Sequence, residues 1–166
     1  MLTRHARIDD VPRLMQIERN AAMAAHWTER DYNAIFTEAT PRRMAWVVEL
    51  ERREALAPEA GHPVQETPEA GVCGFIVVRC FEGEWEIENV AVTPTARQRG
   101  LATRLLEALL GVARQEQAVR IHLEVRESNL PARKLYEKLG FHGAGWRRNY
   151  YSNPSEDALL LELSLG

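Results

Sequence analysis

The residues most suited to chemistry begin at Arg97-Gln98-Arg99-Gly100-Leu101-Ala102-Thr103, with Arg104 directly after. A glycine at a helix start lets backbone approach a ligand closely, because it has no Cβ. The first N–H groups of a helix lack intrahelical partners, and the helix dipole places partial positive charge beside them. With Arg97, Arg99 and Arg104 alongside, this turn suits a diphosphate. It matches neither Gly-x-Gly-x-x-Gly nor the Walker Gly-Lys-Ser/Thr pattern, which argues against a dinucleotide site and a nucleotide triphosphatase. An ordinary helix start would use the same residues, so these residues alone leave both readings open.

Carboxylates form the second group. Glu82, Glu84, Glu86 and Glu88 alternate along one strand, so they share a face. That face is either a solvated sheet surface or an acidic wall for a cationic substrate, with Glu88, nearest the arginine-glycine turn, the best placed of the four. Glu124 sits mid-strand between His122 and Arg126. It is either exposed or salt-bridged, or its face borders a cleft. His122 shares that face and is a weaker base candidate on the pKa of histidine alone. Tyr136, taken alone, reads as a core aromatic. Cys73 and Cys80, seven apart in one apolar run, should face opposite sides of a strand, which disfavours a bridge; buried free thiols are expected. With no other cysteine there is no disulfide framework and no cysteine-based zinc site.

The elements that must position these residues follow from periodicity. Leu2 to Ala6 reads as a short strand. Asp9, Asp10 and Pro12 open a helix through about Ala25, with Leu14, Ile17 and Met23 as its core stripe. Thr28 and Asp31 form a capping-box pattern for a second helix from Glu29 to about Glu38, ended by Pro41. Met44 to Leu50 and Val72 to Cys80 read as an antiparallel strand pair, joined by a long loop over residues 51–70. Trp85 to Val92 is a further strand. Leu101, Leu105, Leu106, Leu109 and Val112 mark an amphipathic helix, and Val119 to Arg126 the strand after it. A strand reached through a crossover helix should run parallel to its predecessor. Asn129 and Pro131 start a last helix carrying Ala132, Leu135, Tyr136 and Leu139, with Gly140 as its C-cap. Trp146 to Tyr151 and Ala158 to Leu163 complete an antiparallel pair. The fold class is therefore α/β, with a mixed sheet and one βαβ crossover.

At 166 residues the chain is expected to be one domain over 1–166. Hydrophobic content of 45% and charged content of 27% are those of a globular protein, and a net charge of −3 argues against a general nucleic-acid binder. No run approaches the roughly 18 apolar residues of a membrane span. No apolar signal-peptide core follows Met1, so a cytoplasmic location is expected.

The segment Arg97 to Ala102 resembles the Arg/Gln-x-x-Gly-x-Gly/Ala motif of the GCN5-related N-acetyltransferase (GNAT) family. Leu123-Glu124-Val125-Arg126-Glu127-Ser128-Asn129, Leu135 to Phe141, Arg147-Arg148-Asn149-Tyr150-Tyr151 and Trp27-Thr28-Glu29 are similar to the branch that acetylates the N-terminal alanine of ribosomal proteins. The likeness covers nearly the whole chain. It departs in the longer 51–70 loop and in Glu88, where an apolar residue is more usual. The resemblance implies the GNAT fold, a mixed and mostly antiparallel sheet. It implies acetyl-CoA as co-substrate and no metal, with Val90, Ala91 and Val92 along the pantetheine arm. Arg97, Gln98, Arg99, Gly100, Leu101, Ala102, Thr103 and Asn129 would also hold the cofactor. It implies Glu124 as general base, probed against Glu88, and Tyr136 as general acid for the departing thiolate. Trp27, Glu88, Arg148, Tyr150 and Tyr151 would line the acceptor groove. The expected partner is a protein N-terminus, from a small-subunit ribosomal protein, and neither nucleic acid nor membrane. The alternatives are a GNAT acting on a small-molecule amine or a lysine side chain, and a non-catalytic acyl-CoA-binding module.

Overall fold

The computed structural model describes residues 1–21, 27–51 and 70–166. Seven strands form one sheet in the order β1-β2-β3-β4-β5-β7-β6. They are β1 (Leu2–His5), β2 (Arg42–Leu50), β3 (Gly71–Phe81), β4 (Glu84–Val92), β5 (Arg120–Arg126), β6 (His142–Ser152) and β7 (Ser155–Ser164). Among the described residues four α-helices accompany them: α1 (Val11–Arg19), α2 (Glu29–Asn33), α3 (Leu101–Gln115) and α4 (Leu130–Lys138). Every neighbouring pair is antiparallel except β4–β5, which the α3 crossover makes parallel.

Two apolar layers hold the sheet. On one face Leu101, Leu105, Leu106 and Leu109 of α3 are buried against Ile76, Ile121 and Leu123. Burying a leucine of this kind stabilises the fold by about 1.5–3 kcal/mol. On the other face Leu14 and Ile17 of α1 meet Tyr32, Phe75 and Val77. The α1 stripe runs as expected, but the helix stops at Arg19, with Asn20 as its C-cap, short of Ala25. Met23 lies outside the described residues, as do 52–69 of the long loop. Thr28 and Asp31 do make a reciprocal capping box. The helix they start gives way after Asn33 to a 3₁₀ turn over Ala34–Phe36, so it ends before Glu38.

Two β-bulges change which way side chains point. Val48 pairs with Gly74 and Glu49 with Val72, which leaves Cys73 as an extra residue. Val77 pairs with Asn89 and Val78 with Ile87, which leaves Glu88 as another. A bulge breaks the period-two alternation. Cys73 and Cys80 therefore both join the α3-side layer, and the expectation of opposite faces fails. They are free and buried, as expected of lone thiols. In β4, Trp85 and Ile87 belong to the α3 layer, while Ala91 belongs to the α1 layer.

Candidate active site

The parallel β4–β5 ladder runs from Glu84↔Arg120 to Ile87↔Leu123 and then stops. Both strands continue, β4 to Val92 and β5 to Arg126, but no longer as partners. The bulge at Glu88 sits where they part. The β5-facing edge of Val90, Ala91 and Val92 is thus left out of the ladder, and an extended arm of a ligand can pair with such an edge.

At the end of that strand, a 3₁₀ turn over Pro94–Ala96 leads to α3. Gln98 has φ +62 and Gly100 φ +73, with Arg99 between them. Gly100 is the N-cap of α3, makes no side-chain cap, and its carbonyl takes the first intrahelical bond from Arg104 N–H at 3.0 Å. The N–H groups of Leu101, Ala102 and Thr103 have no intrahelical partners by helix geometry. A Cβ at Gly100 would meet nothing within 4 Å, so the space above the turn is open. Left-handed residues in such a turn converge backbone N–H groups into an anion-binding concavity. The donor set fits a diphosphate, with the arginines supplying charge and the helix supplying dipole. Asn129 is placed differently: it is the N-cap of α4, its Oδ1 accepting from Ala132 N–H at 3.3 Å.

Glu124 lies on β5 just past the point of separation, its side chain 16% exposed. Its Oε1 is 2.8 Å from Nη1 of Arg147, whose own side chain is 55% exposed. The Tyr150 hydroxyl also hydrogen-bonds Glu124, and this bond is the main reason that its pKa rises. Tyr150 packs edge-on against Tyr151 with ring centroids 5.1 Å apart, and Arg126 lies over the Tyr151 ring at 4.1 Å. Burial pushes Tyr151 up to about 12, with the Glu124 charge adding to it. Tyr136 is buried on α4, edge-on to Phe141, and burial with the nearby Tyr151 raises its pKa further. Glu124, Tyr150 and Tyr151 thus form a run of contacts, and the Tyr151 phenol acts on Tyr136 electrostatically. The Asn149 backbone, at φ +50, donates to Asp157 Oδ1 at 2.8 Å and shapes the β6 bend that carries these tyrosines. Arg148 is exposed on the same bend.

Glu88 does not stand as part of an open acidic wall. Arg43 clamps it with two bonds, Nε to Oε2 at 2.7 Å and Nη2 to Oε1 at 2.9 Å. Arg43 also stacks 5.8 Å from the Trp27 ring centre, and Trp27 packs on Tyr32 at 5.5 Å. Further down the face Glu86 pairs with Arg79, and Glu84 lies 3.8 Å from Arg120. His122, 41% exposed, lies 3.9 Å from Glu86 and on the paired half of the sheet, away from the split.

Sequence reasoning gave no site role to Glu18, Tyr32 or Arg43, and took Asn89 only as the start of the strand along the pantetheine arm. Glu18 is buried on α1, where Oε2 accepts from Trp27 N–H at 3.0 Å and Oε1 from Asn89 Nδ2 at 2.7 Å. One signal was present: Glu18 lies four residues after Leu14, a charge on the apolar stripe of an amphipathic helix. Among the described residues no group of three or more His, Cys, Asp or Glu is arranged to hold a metal, and no helix is long and apolar enough to cross a membrane.

The profile of the acetyltransferase (GNAT) family matches residues 21–141. The chain belongs to the GNAT family. It is an acetyltransferase, with acetyl-CoA as its co-substrate. It is 38% identical over 101 residues to the ribosomal protein bS18-alanine N-acetyltransferase of Salmonella typhimurium, covering 60% of this chain and 68% of that protein. The crystal structure of the Escherichia coli ribosomal-protein-S18-alanine N-acetyltransferase superposes with a TM-score of 0.77 at 27% identity, over 99% of this chain and 94% of that one. Arabidopsis thaliana NAA60 in complex with acetyl-CoA shares the fold, with a TM-score of 0.77 at 17% identity over 99% and 98% of the two chains. The GNAT fold, with seven mostly antiparallel strands and one parallel pair, is thus the fold that the sequence implied.

Proposed function

We propose that this GNAT enzyme transfers the acetyl group of acetyl-CoA to the N-terminal α-amine of a protein, with alanine first and a small-subunit ribosomal protein as its source. The observation that carries the reading is Glu124, held at the mouth of the β4–β5 split by Tyr150 and by an exposed, displaceable arginine. The bS18-alanine acetyltransferases that this chain resembles supply the acceptor class.

The diphosphate rests on the N–H groups of Gln98 to Thr103, with Arg97, Arg99 and Arg104 adding charge. The pantetheine arm runs along Val90–Val92. This aims the thioester at the mouth of the split, where a β4 N–H from that segment stabilises the oxyanion. An N-terminal amine has an unperturbed pKa of about 7.7–8.0, against roughly 10.4 for lysine, so it reaches the neutral nucleophile far more easily. Glu124 accepts its proton, through a water. Arg147 marks the place of a cation at Glu124, and its own guanidinium, 55% exposed, can turn out to solvent when the acceptor arrives. The neutral amine attacks the thioester carbonyl, and the tetrahedral intermediate expels the CoA thiolate. Tyr136, kept protonated by burial, donates to the departing sulfur. Trp27, Glu88, Arg148, Tyr150 and Tyr151 wall the acceptor groove, with Glu88 acting through its hold on Arg43 and so on Trp27.

The ion-paired state of Glu84, Glu86 and Glu88 weighs against a polycationic small molecule. Acetyl-CoA consumption should be compared for an Ala-starting peptide, spermine and an internal-lysine peptide with a blocked N-terminus. The reading expects turnover with the first at least tenfold above the others. Preference for spermine or lysine overturns it.

A further inference from the structure

One apolar side chain beside Glu124 joins neither core layer. β5 and β7 stay paired as far as Arg126↔Ala158, with Glu124 opposite Leu160, and across β7 Leu160 is opposite Gly145 of β6. Residues paired across strands share a face, so these three form one row. That face is the α1 side. Leu123 and Val125, flanking Glu124, belong to the α3 layer, as do Leu159 and Leu161, flanking Leu160. Among the described residues the α1-side layer draws its strand members from β2, β3 and β4, and does not extend over β5, β7 or β6. Leu160 is half-buried there, among His122, Glu124, Glu162 and Arg147. A Cβ added at Gly145 would meet nothing within 4 Å, so the β6 end of the row is open. A leucine left half-covered beside a carboxylate is apolar surface that a ligand can remove from water.

Arg147 indicates what kind of group the row accommodates. β7 lies between β6 and β5, so Arg147 reaches Glu124 Oε1 at 2.8 Å by laying its methylenes across β7 on this face, where the strand presents Ala158 and Leu160. Its cation rests on the carboxylate, and its aliphatic stem crosses the strand that carries Leu160. A protonated acceptor amine has the same order of parts, a cation and then carbon. The carbon bonded to its nitrogen lies about 1.5 Å away, so that carbon's substituents must meet the neighbours of Glu124. On the β4 side of Glu124 the ladder has parted, and that space is left to the thioester arm. On the other side the neighbour is Leu160.

We propose that Leu160 is the floor on which the side chain of the acceptor's first residue rests, and that it selects acceptors with carbon rather than oxygen at the touching atom. The inference rests on the reading that Glu124 takes the proton of an acceptor amine, and it adds the residue that discriminates among acceptors. A leucine that only stabilised the β5–β7 ladder would, when replaced, alter turnover of every acceptor alike. A leucine that touches the first side chain changes their ratio.

The test is a competition in one mixture, using the full chain, acetyl-CoA and two peptides identical after the first residue. One begins with 2-aminobutyrate and the other with serine, so a methyl in the first replaces a hydroxyl in the second. Mass spectrometry of the early products gives the ratio of the two kcat/KM values. The wild type should favour 2-aminobutyrate by about fivefold or more, since a methylene removed from water is worth about fourfold and a hydroxyl on an apolar floor loses its water. Leu160→Asn, nearly isosteric, should bring the ratio to about twofold or below and leave acetyl-CoA affinity by calorimetry unchanged. If Leu160→Asn does not fold, Leu160→Ala carries the test with the same expected ratio. A wild-type ratio near one, or a ratio unchanged in the variant that folds, overturns the proposal. If the wild type acetylates neither peptide, the N-terminal acceptor reading fails by itself. The same competition between propylamine and ethanolamine then decides the floor by the same ratios, and acetylation of neither amine overturns it too.

Discussion

The β4–β5 pair has two halves with opposite electrostatics. In the lower half, where the strands are hydrogen-bonded, Glu84 meets Arg120, Glu86 meets Arg79, and Arg120 reaches Glu162. Each of those carboxylates meets a cation, Glu84 and Glu162 sharing Arg120, and the charges are partly exposed. In the upper half, where the strands part, Arg43 clamps Glu88, but among the described residues Glu18 meets no cation, Asn89 Oδ1 and Thr93 Oγ1 have no partners, and Glu124 meets the half-exposed Arg147 and the Tyr150 hydroxyl. The lesson is that composition does not separate structural from reactive carboxylates, since both halves are rich in glutamate. On the proposed reading the end of the ladder sets Glu124 apart, while Glu88, also beyond it, is clamped by Arg43. Pairing closes the chemistry of the lower half, and the split leaves that of the upper half unfinished until ligands arrive.

Substitutions in the two halves should therefore differ sharply. Glu124→Gln should lower kcat by about 10²–10⁴-fold, the usual worth of a positioned base, with acetyl-CoA binding intact by calorimetry. Glu86→Gln, one residue before the end of the ladder, should change kcat/KM by less than twofold. Equal losses would erase the distinction between the halves. Tyr136→Phe should cost kcat about 10–10²-fold, toward the lower end of general-acid effects, with the acceptor KM little changed. Because burial lifts the Tyr136 pKa, its proton stays on throughout neutral and mildly alkaline pH. The rate should accordingly rise through the acceptor amine's own titration and show no fall from tyrosine ionisation below pH 10. A descending limb at pH 8–9 that vanishes in Tyr136→Phe would contradict this placement.

Smaller effects should come from the cofactor turn. Gly100→Ala forces a Cβ onto a residue at φ +73, which costs roughly 1–2 kcal/mol of backbone strain or turns the N–H cradle away. Acetyl-CoA affinity should fall about tenfold by calorimetry, since about 1.4 kcal/mol is a factor of ten, with the acceptor's pH profile unmoved. Smallest of all is the loop before α4. Glu156 is held below its ordinary value of 4.5 by the Ser128 backbone N–H and side chain, then by Arg126. A depressed folded-state pKa means that stability is present above the unfolded value and drains as pH falls through the folded one. Thermal melting should therefore show Glu156→Gln less stable at pH 7 and converging with the wild type as the pH drops below 4.

Much of this was legible in the chain. The crossover from β4 through α3 to β5 follows from the spacing of Leu101, Leu105, Leu106 and Leu109, and the left-handed turn at the head of α3 from Gly100. Glu124 stood out as a carboxylate on a strand that should have been apolar. What sequence could not carry was non-local. The Glu88 bulge reverses faces without a glycine or proline to announce it, and although Gly74 adjoins the Cys73 bulge, period-two counting placed Cys73 on the wrong side. Arg43 neutralises Glu88 from 45 residues away. Asn89 and Glu18 meet across 71 residues, and only the fold shows that their charge is left unbalanced.

The most direct measurement is mass spectrometry of a peptide that begins with alanine, contains one internal lysine and is incubated with acetyl-CoA and the enzyme. One acetyl group on the α-amine and none on the lysine, with that signal lost in Glu124→Gln, is the predicted result. Acetylation of the lysine, or an unmodified α-amine beside acetylated spermine in the same mixture, would contradict the account.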